Sequence, residues 1–135
     1  MSKKEKLQIE EKARAAINKL HDTQASSNKR NLSEGGPIHE FDIFQEEKII
    51  GGVSTSPYLT TKGNPNTGGR DRAIAELLWL SLWQGKEKRV HVLTCSSMAQ
   101  WLFKRFVGAN FPFPITIYWY CLEKDELEEV GGLNA

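Results

Sequence analysis

The sequence has few cysteines and no long apolar run. Two cysteines, Cys95 and Cys121, are too few for a disulfide framework, and free thiols are typical of a reducing compartment. No apolar run approaches the roughly 20 residues needed to span a bilayer. The first residues, MSKKEKLQIEEKAR, lack the apolar segment of a secretory signal. We therefore expect a cytoplasmic protein that makes no contact with a membrane.

The chain also lacks a strong net charge, but its charges are unevenly distributed. The net charge is +1, whereas residues 1–30 carry eight Lys or Arg against four Asp or Glu. Residues 1–22 are predicted to form a basic helix, with a narrow apolar stripe of Ile9, Ala13, Ile17 and Leu20. Such a helix either binds phosphates or is a solubilising surface. Its stripe indicates that it docks on the body or on a partner.

The rest of the chain divides into a linker and one domain. Residues 23–37 contain almost no apolar side chain and are predicted to be a flexible linker. Residues 38–130 are predicted to form a single α/β domain, in which an antiparallel hairpin precedes a helix–strand–helix–strand series. Strands joined through helices are normally parallel, so we expect a mixed sheet with residues 90–94 and 115–121 as parallel strands. The acidic tail is expected to add a helical turn or two.

The loop before the first domain helix is a candidate phosphate site. It delivers the chain to a helix N-terminus, where free N–H groups and the helix dipole favour an anion. Arginines near the helix start add charge suited to phosphate. The predicted phosphate-binding residues are Asn66, Thr67, Gly68, Gly69, Arg70 and Arg72. The alternative is a turn-forming loop in which Thr67 or Asp71 caps the helix.

Two carboxylates, Asp42 and Glu76, are the candidate catalytic residues if the protein is a nuclease. The alternation of the first domain strand places Phe41 and Ile43 on the better-buried side and Asp42 on the other. Glu76 lies in the middle of an apolar helix, where a lone carboxylate is unfavourable unless it is paired. It either pairs with Arg72 one turn earlier or faces a cleft, where carboxylates hold Mg²⁺ or Mn²⁺.

The element order over about residues 38–121 resembles the ribonuclease H-like superfamily. The segment AELLWLSLWQGKEKRVHVLTCSSMAQWLFKRF looks like the stretch from that family's helix glutamate to its Thr-Asp-Ser strand end. The resemblance implies that Glu76 is the helix carboxylate and Asp42 the first-strand aspartate. Cys95 stands where the family has its second aspartate, and a thiol does not replace a carboxylate for Mg²⁺. We therefore expect no cofactor unless the protein is an active nuclease.

The zinc cytidine-deaminase-like fold has the same element order, but it is nearly excluded. That chemistry needs a His or Cys on the earlier helix and two cysteines near the second helix. The region from Gly69 to Glu76 contains neither His nor Cys, and Met98 stands in place of the second cysteine.

Three functions are therefore compatible with the sequence. The leading hypothesis is a non-catalytic or degenerate ribonuclease H-like module that binds nucleic acid or a protein that processes it. The second is a metal-dependent nuclease. The third is a protein-interaction module that acts as a homodimer through the Trp-rich helix, with Trp79 or Trp83 at the surface.

Overall fold

A computed structural model describes residues 1–134, which form one six-stranded mixed sheet with helices on both faces. This confirms the predicted α/β class. The helices are α1 (Lys3–His21), α2 (Thr67–Leu82) and α3 (Ser96–Phe106). The strands are β1 (Ser26–Asn31), β2 (Ile38–Gln45), β3 (Ile49–Ser54), β4 (Lys88–Leu93), β5 (Ile115–Cys121) and β6 (Glu126–Leu133).

The strands lie in the sheet in chain order, from β1 to β6. The three central strands are parallel, because α2 connects β3 to β4 and α3 connects β4 to β5. β1, β2 and β6 complete the sheet through antiparallel pairing. The predicted hairpin and the predicted parallel pair of β4 and β5 are thus confirmed.

Each face of the sheet has its own apolar core. α2 and α3 pack on one face against large side chains such as Phe41, Ile50 and Ile117. α1 packs on the opposite face, where Ala13 and Ile17 are completely buried. The N-terminal helix therefore docks on the domain through Ala13 and Ile17, whereas Leu20, which the predicted stripe also contained, is 56% exposed. None of the helices within residues 1–134 is long and apolar enough to cross a membrane.

Two segments differ from the sequence-based expectation. Ser26–Asn31, within the predicted linker, form the edge strand β1, although none of its side chains is buried. Backbone pairing with β2 holds this strand, so it needs no apolar pattern. Glu126–Leu133 form the strand β6, paired along β5, where a helical turn was expected. Both segments depend on a neighbouring strand that local sequence does not reveal.

A β-bulge interrupts the alternation of β2. Ser26 pairs with Phe44 and Asn28 with Phe41, so β2 has one more residue than β1 between these pairs. Phe41 and Phe44 consequently face α2 and α3, whereas Ile43 faces α1. The prediction that Phe41 and Ile43 share one face was therefore wrong, because strict alternation holds only in a regular strand.

Candidate functional site

A cleft of about 240 Å³, here called the β3 cleft, lies at the carboxyl end of β3. It receives side chains from both helical layers, since α1 and α2 each contribute to its lining. Its polar lining consists of Lys6, His39, Ser54, Thr55, Ser56, Arg72 and Glu76. The carboxyl ends of parallel strands are where open α/β sheets commonly bind ligands.

The position of the cleft follows from the way β2 and β3 separate. Their pairing runs from Gln45–Ile49 to Ile43–Gly51. Beyond that point the Val53 N–H donates a 2.8 Å hydrogen bond to Asp42 Oδ2. The carboxyl of Asp42 thus takes the place of a strand carbonyl next to the bulge, and the strands diverge.

Asp42 lies in an environment that disfavours its charge. Burial raises the pKa of its carboxyl from 3.8 to about 7, and the hydrogen bond from Val53 only partly offsets this effect. The negative charges of Glu10, Glu76 and Glu40 make smaller contributions to the same rise in the pKa. Near neutral pH the carboxyl of Asp42 is therefore close to half protonated.

Glu76 projects from α2 over the backbone of β3. Its Oε2 lies 3.2 Å from Nε2 of His39, and the His39 ring stacks on Trp79 with centroids 4.8 Å apart. A Cβ on Gly52 would lie 2.2 Å from Oε1 of Glu76, so the glycine makes room for the carboxylate. The sequence left open a pair between Glu76 and Arg72, but Nη2 of Arg72 instead donates to Ser56 Oγ at 3.1 Å.

His91 is a buried polar residue that the sequence did not connect with the site. Its Nε2 lies 2.8 Å from Ser54 Oγ, and burial lowers the pKa of the imidazole to about 4. The ring is therefore neutral at pH 7. Nδ1 of His91 and Oε1 of Glu76 are both buried without a hydrogen-bond partner in residues 1–134. No local signal predicts this arrangement, because the register of β3 and β4 sets it.

The two candidate catalytic carboxylates are electrostatic neighbours, as the effect of Glu76 on Asp42 indicates. Even so, the part of the chain that the structure describes contains no group of three or more His, Cys, Asp or Glu that could hold a metal ion. Asp42 and Glu76 alone would hold Mg²⁺ only together with water or substrate phosphates, because two carboxylates leave most of its oxygen ligands to be supplied.

The predicted phosphate loop is largely occupied by its own contacts. Asn66 is the N-cap of α2, in place of Thr67 or Asp71, and its Oδ1 accepts a 3.3 Å hydrogen bond from Gly69 N–H. A Cβ on Gly69 would lie 2.4 Å from Nδ2 of Asn66, so this glycine is needed for close approach. Thr67 and Gly68 are exposed at the helix start.

The two arginines that follow this loop have different environments. Arg70 stacks on the ring of Tyr58 at 3.7 Å and donates to the Tyr58 carbonyl oxygen at 3.2 Å. Arg72 is exposed and lines the β3 cleft. Of the six predicted phosphate-binding residues, Arg72 is therefore the one with a side chain in the cleft.

The surface of α2 bears on the dimer hypothesis. Trp83 is buried and donates to Glu87 Oε1 at 2.9 Å, whereas Trp79 is half-buried against His39. The outward-facing residues are instead leucines, with Leu78 53% and Leu82 43% exposed. An interface on α2 would therefore use these leucines rather than Trp83.

The comparisons with known proteins return no match, whether with family models, curated proteins or solved structures.

Proposed function

We propose that this protein is a non-catalytic module that binds nucleic acid through phosphate contacts at the β3 cleft. The observation that carries the proposal is that Lys6 of α1 and Arg72 of α2 line the same cleft beside the hydroxyl groups of Ser54, Thr55 and Ser56. Lysine, arginine and hydroxyl side chains are the groups that most often contact nucleic-acid phosphates.

The charge of the cleft is compatible with an anionic ligand. Glu76 is its acidic lining residue, and Glu76 is already paired with His39 at 3.2 Å. The two cations are exposed, so they can exchange solvent and counterions for a phosphate. The docking of α1 also places the basic N-terminal helix beside the domain, where its exposed lysines extend the positive surface.

A salt titration of binding tests this proposal. Fluorescence anisotropy of the full chain with labelled single-stranded and duplex oligonucleotides is measured between about 50 and 200 mM salt. We expect affinity to fall with salt. We expect the affinity of the Lys6→Ala/Arg72→Ala variant to be lower by about tenfold or more. For a single strand, the slope of log affinity against log salt concentration should be smaller by about 1.4.

Lys48→Ala/Lys86→Ala is the matched control, because both lysines are exposed, neither belongs to α1 and neither lines the β3 cleft. It removes the same charge and is expected to weaken binding far less. Equal losses in the two double variants, or affinity that does not respond to salt, would contradict the proposal.

A metal-dependent nuclease is the second candidate, favoured by the proximity of Asp42 and Glu76 that their electrostatic interaction indicates. It predicts cleavage of an oligonucleotide that requires Mg²⁺ or Mn²⁺ and is abolished in Glu76→Gln. A metal titration without cleavage or a change in stability would eliminate this candidate.

The ribonuclease H-like resemblance and the cytoplasmic location also remain proposals. The half-buried thiols of Cys95 and Cys121, both free in the described chain, support a reducing compartment. Cys95 is the N-cap of α3 without a side-chain capping bond, a position at which a carboxylate would add negative charge.

A further inference from the structure

A second surface, here called the α3 groove, lies next to the β3 cleft. Its volume is about 410 Å³. It is lined by Tyr58, Ser97, Gln100, Trp101, Lys104 and Arg105. These described lining residues combine two aromatic rings with two cations and contain no acid.

The aromatic rings of the groove are held in place but not fully covered. Tyr58 and Trp101 are half-buried and pack against the core, with ring centroids 6.2 Å apart. Arg70 stacks on Tyr58 at 3.7 Å and lies 5.4 Å from the ring of Trp101. Arg70 covers one face of Tyr58, so the exposed part of Trp101 and the remaining exposed part of Tyr58 supply apolar surface beside a fixed positive charge.

The cations of the groove are positioned for phosphate. Lys104 and Arg105 are exposed in the last turn of α3, which also carries no acidic residue to neutralise them. Their long side chains can follow a flexible anionic backbone while the rings contact its bases.

The groove is continuous with the proposed phosphate cleft. Ser56 lines the cleft and Tyr58 lines the groove, so two consecutive residue steps, at most about 7 Å, separate their Cα atoms. Arg72 contacts Ser56, and Arg70 contacts Tyr58, so the first two turns of α2 support both surfaces.

We infer that the α3 groove binds unpaired bases of a single-stranded nucleic acid whose backbone also contacts the β3 cleft. This inference rests on the proposed function and specifies its ligand class. Duplex bases are stacked on one another and do not present their faces to Tyr58 and Trp101, whereas single-stranded bases do. The groove therefore favours single strands over duplexes.

The test uses the full chain and three labelled probes of about 15 nucleotides: oligothymidine, oligouridine and a mixed-sequence duplex. Tyr58→Leu/Trp101→Leu removes the aromatic faces but keeps apolar bulk. We expect it to weaken single-strand binding about 10- to 100-fold and duplex binding by less than about twofold. The two single-stranded probes differ in the 2′-hydroxyl and in the 5-methyl group of the base, so oligodeoxyuridine of the same length is the control that assigns a preference to DNA or RNA.

Lys104→Ala/Arg105→Ala is the companion variant, which changes exposed side chains and leaves the core intact. It should reduce the slope of log affinity against log salt concentration for oligothymidine by about 1.4, while Lys48→Ala/Lys86→Ala leaves that slope nearly unchanged. This arm keeps the inference testable if the aromatic variant does not fold.

The outcomes separate this inference from the proposed function. Loss of binding in Lys6→Ala/Arg72→Ala, with full binding in folded groove variants, would overturn the α3 groove and leave the cleft proposal in place. A wild-type chain that binds none of the three probes would overturn both. Selective loss of single-strand binding in the groove variants, together with loss of binding in Lys6→Ala/Arg72→Ala, would support both.

Discussion

Replacing Asp42 by asparagine isolates the effect of burying a carboxyl group between diverging strands. Asparagine has the same shape, and its Oδ1 can still accept the hydrogen bond that Val53 N–H donates to Asp42 at 2.8 Å. The substitution removes the ionisable group, whose pKa burial and three neighbouring glutamates raise from 3.8 to about 7. The variant is therefore expected to gain stability, in a manner that depends on pH.

The sign of this dependence follows from proton binding. Between pH 3.8 and about 7, Asp42 is ionised in the unfolded chain and still protonated in the folded one. The folded state thus binds more protons, so wild-type stability falls as the pH rises through this window. The pKa difference corresponds to about 4 kcal/mol, which is reached above pH 7.

His91 produces an opposing trend that cancels in the comparison. Burial lowers the pKa of its imidazole from 6.5 to about 4, so His91 contributes a rise in stability with pH in that window. Both proteins contain His91, and the difference between them isolates Asp42. The unfolding free energy of Asp42→Asn should equal that of wild type near pH 4. At pH 8 it should exceed the wild-type value by about 4 kcal/mol.

Urea unfolding followed by circular dichroism, at intervals from pH 4 to pH 8.5, measures this difference. A difference that does not change with pH, or a less stable variant at pH 8, would refute the reasoning. The second result would indicate that a cation compensates the charge of Asp42. Added Mg²⁺ that stabilises wild type at pH 8, but not Asp42→Asn, would then favour the nuclease hypothesis.

Four further substitutions test other parts of the structure. Gly52→Ala should destabilise the fold by about 1–3 kcal/mol in urea unfolding, since its Cβ would lie 2.2 Å from Glu76 Oε1. At Gly68 an added Cβ would have no neighbour closer than 3.5 Å, so Gly68→Ala should change the unfolding free energy by less than about 1 kcal/mol. Arg89→Met should lower the unfolding free energy by about 3 kcal/mol or more, and with it the thermal midpoint of unfolding. The reason is that Arg89 donates hydrogen bonds to four backbone carbonyls. Leu78→Lys should abolish any dimer that light scattering detects in wild type, and a monomeric wild type would contradict the dimer hypothesis.

The sequence was informative wherever a local pattern reflects burial. The apolar α2 and α3 and the apolar runs of β4 and β5 predicted helices, strands and their parallel pairing, because burial on these elements repeats with the period of the backbone. The narrow stripe of α1 likewise predicted a docking face. Glu76 was identifiable as unusual because a carboxylate within an apolar helix is unfavourable without a partner.

The site itself required the tertiary structure. The partner of Glu76 is His39, 37 residues away, and Ser54 and His91 are separated by the same distance along the chain. These pairs are set by strand register and by helix packing, which no local periodicity encodes.

The sequence by itself thus determined the element types and an α/β class, whereas the tertiary structure decided which polar side chains meet. Edge strands such as β1 and β6 are held largely by backbone hydrogen bonds, so their side chains carry little signal. The bulge in β2 redirects Phe41, Asp42 and Ile43 relative to strict alternation. That one additional residue places the carboxyl of Asp42 against Val53 and separates the strands beside the β3 cleft.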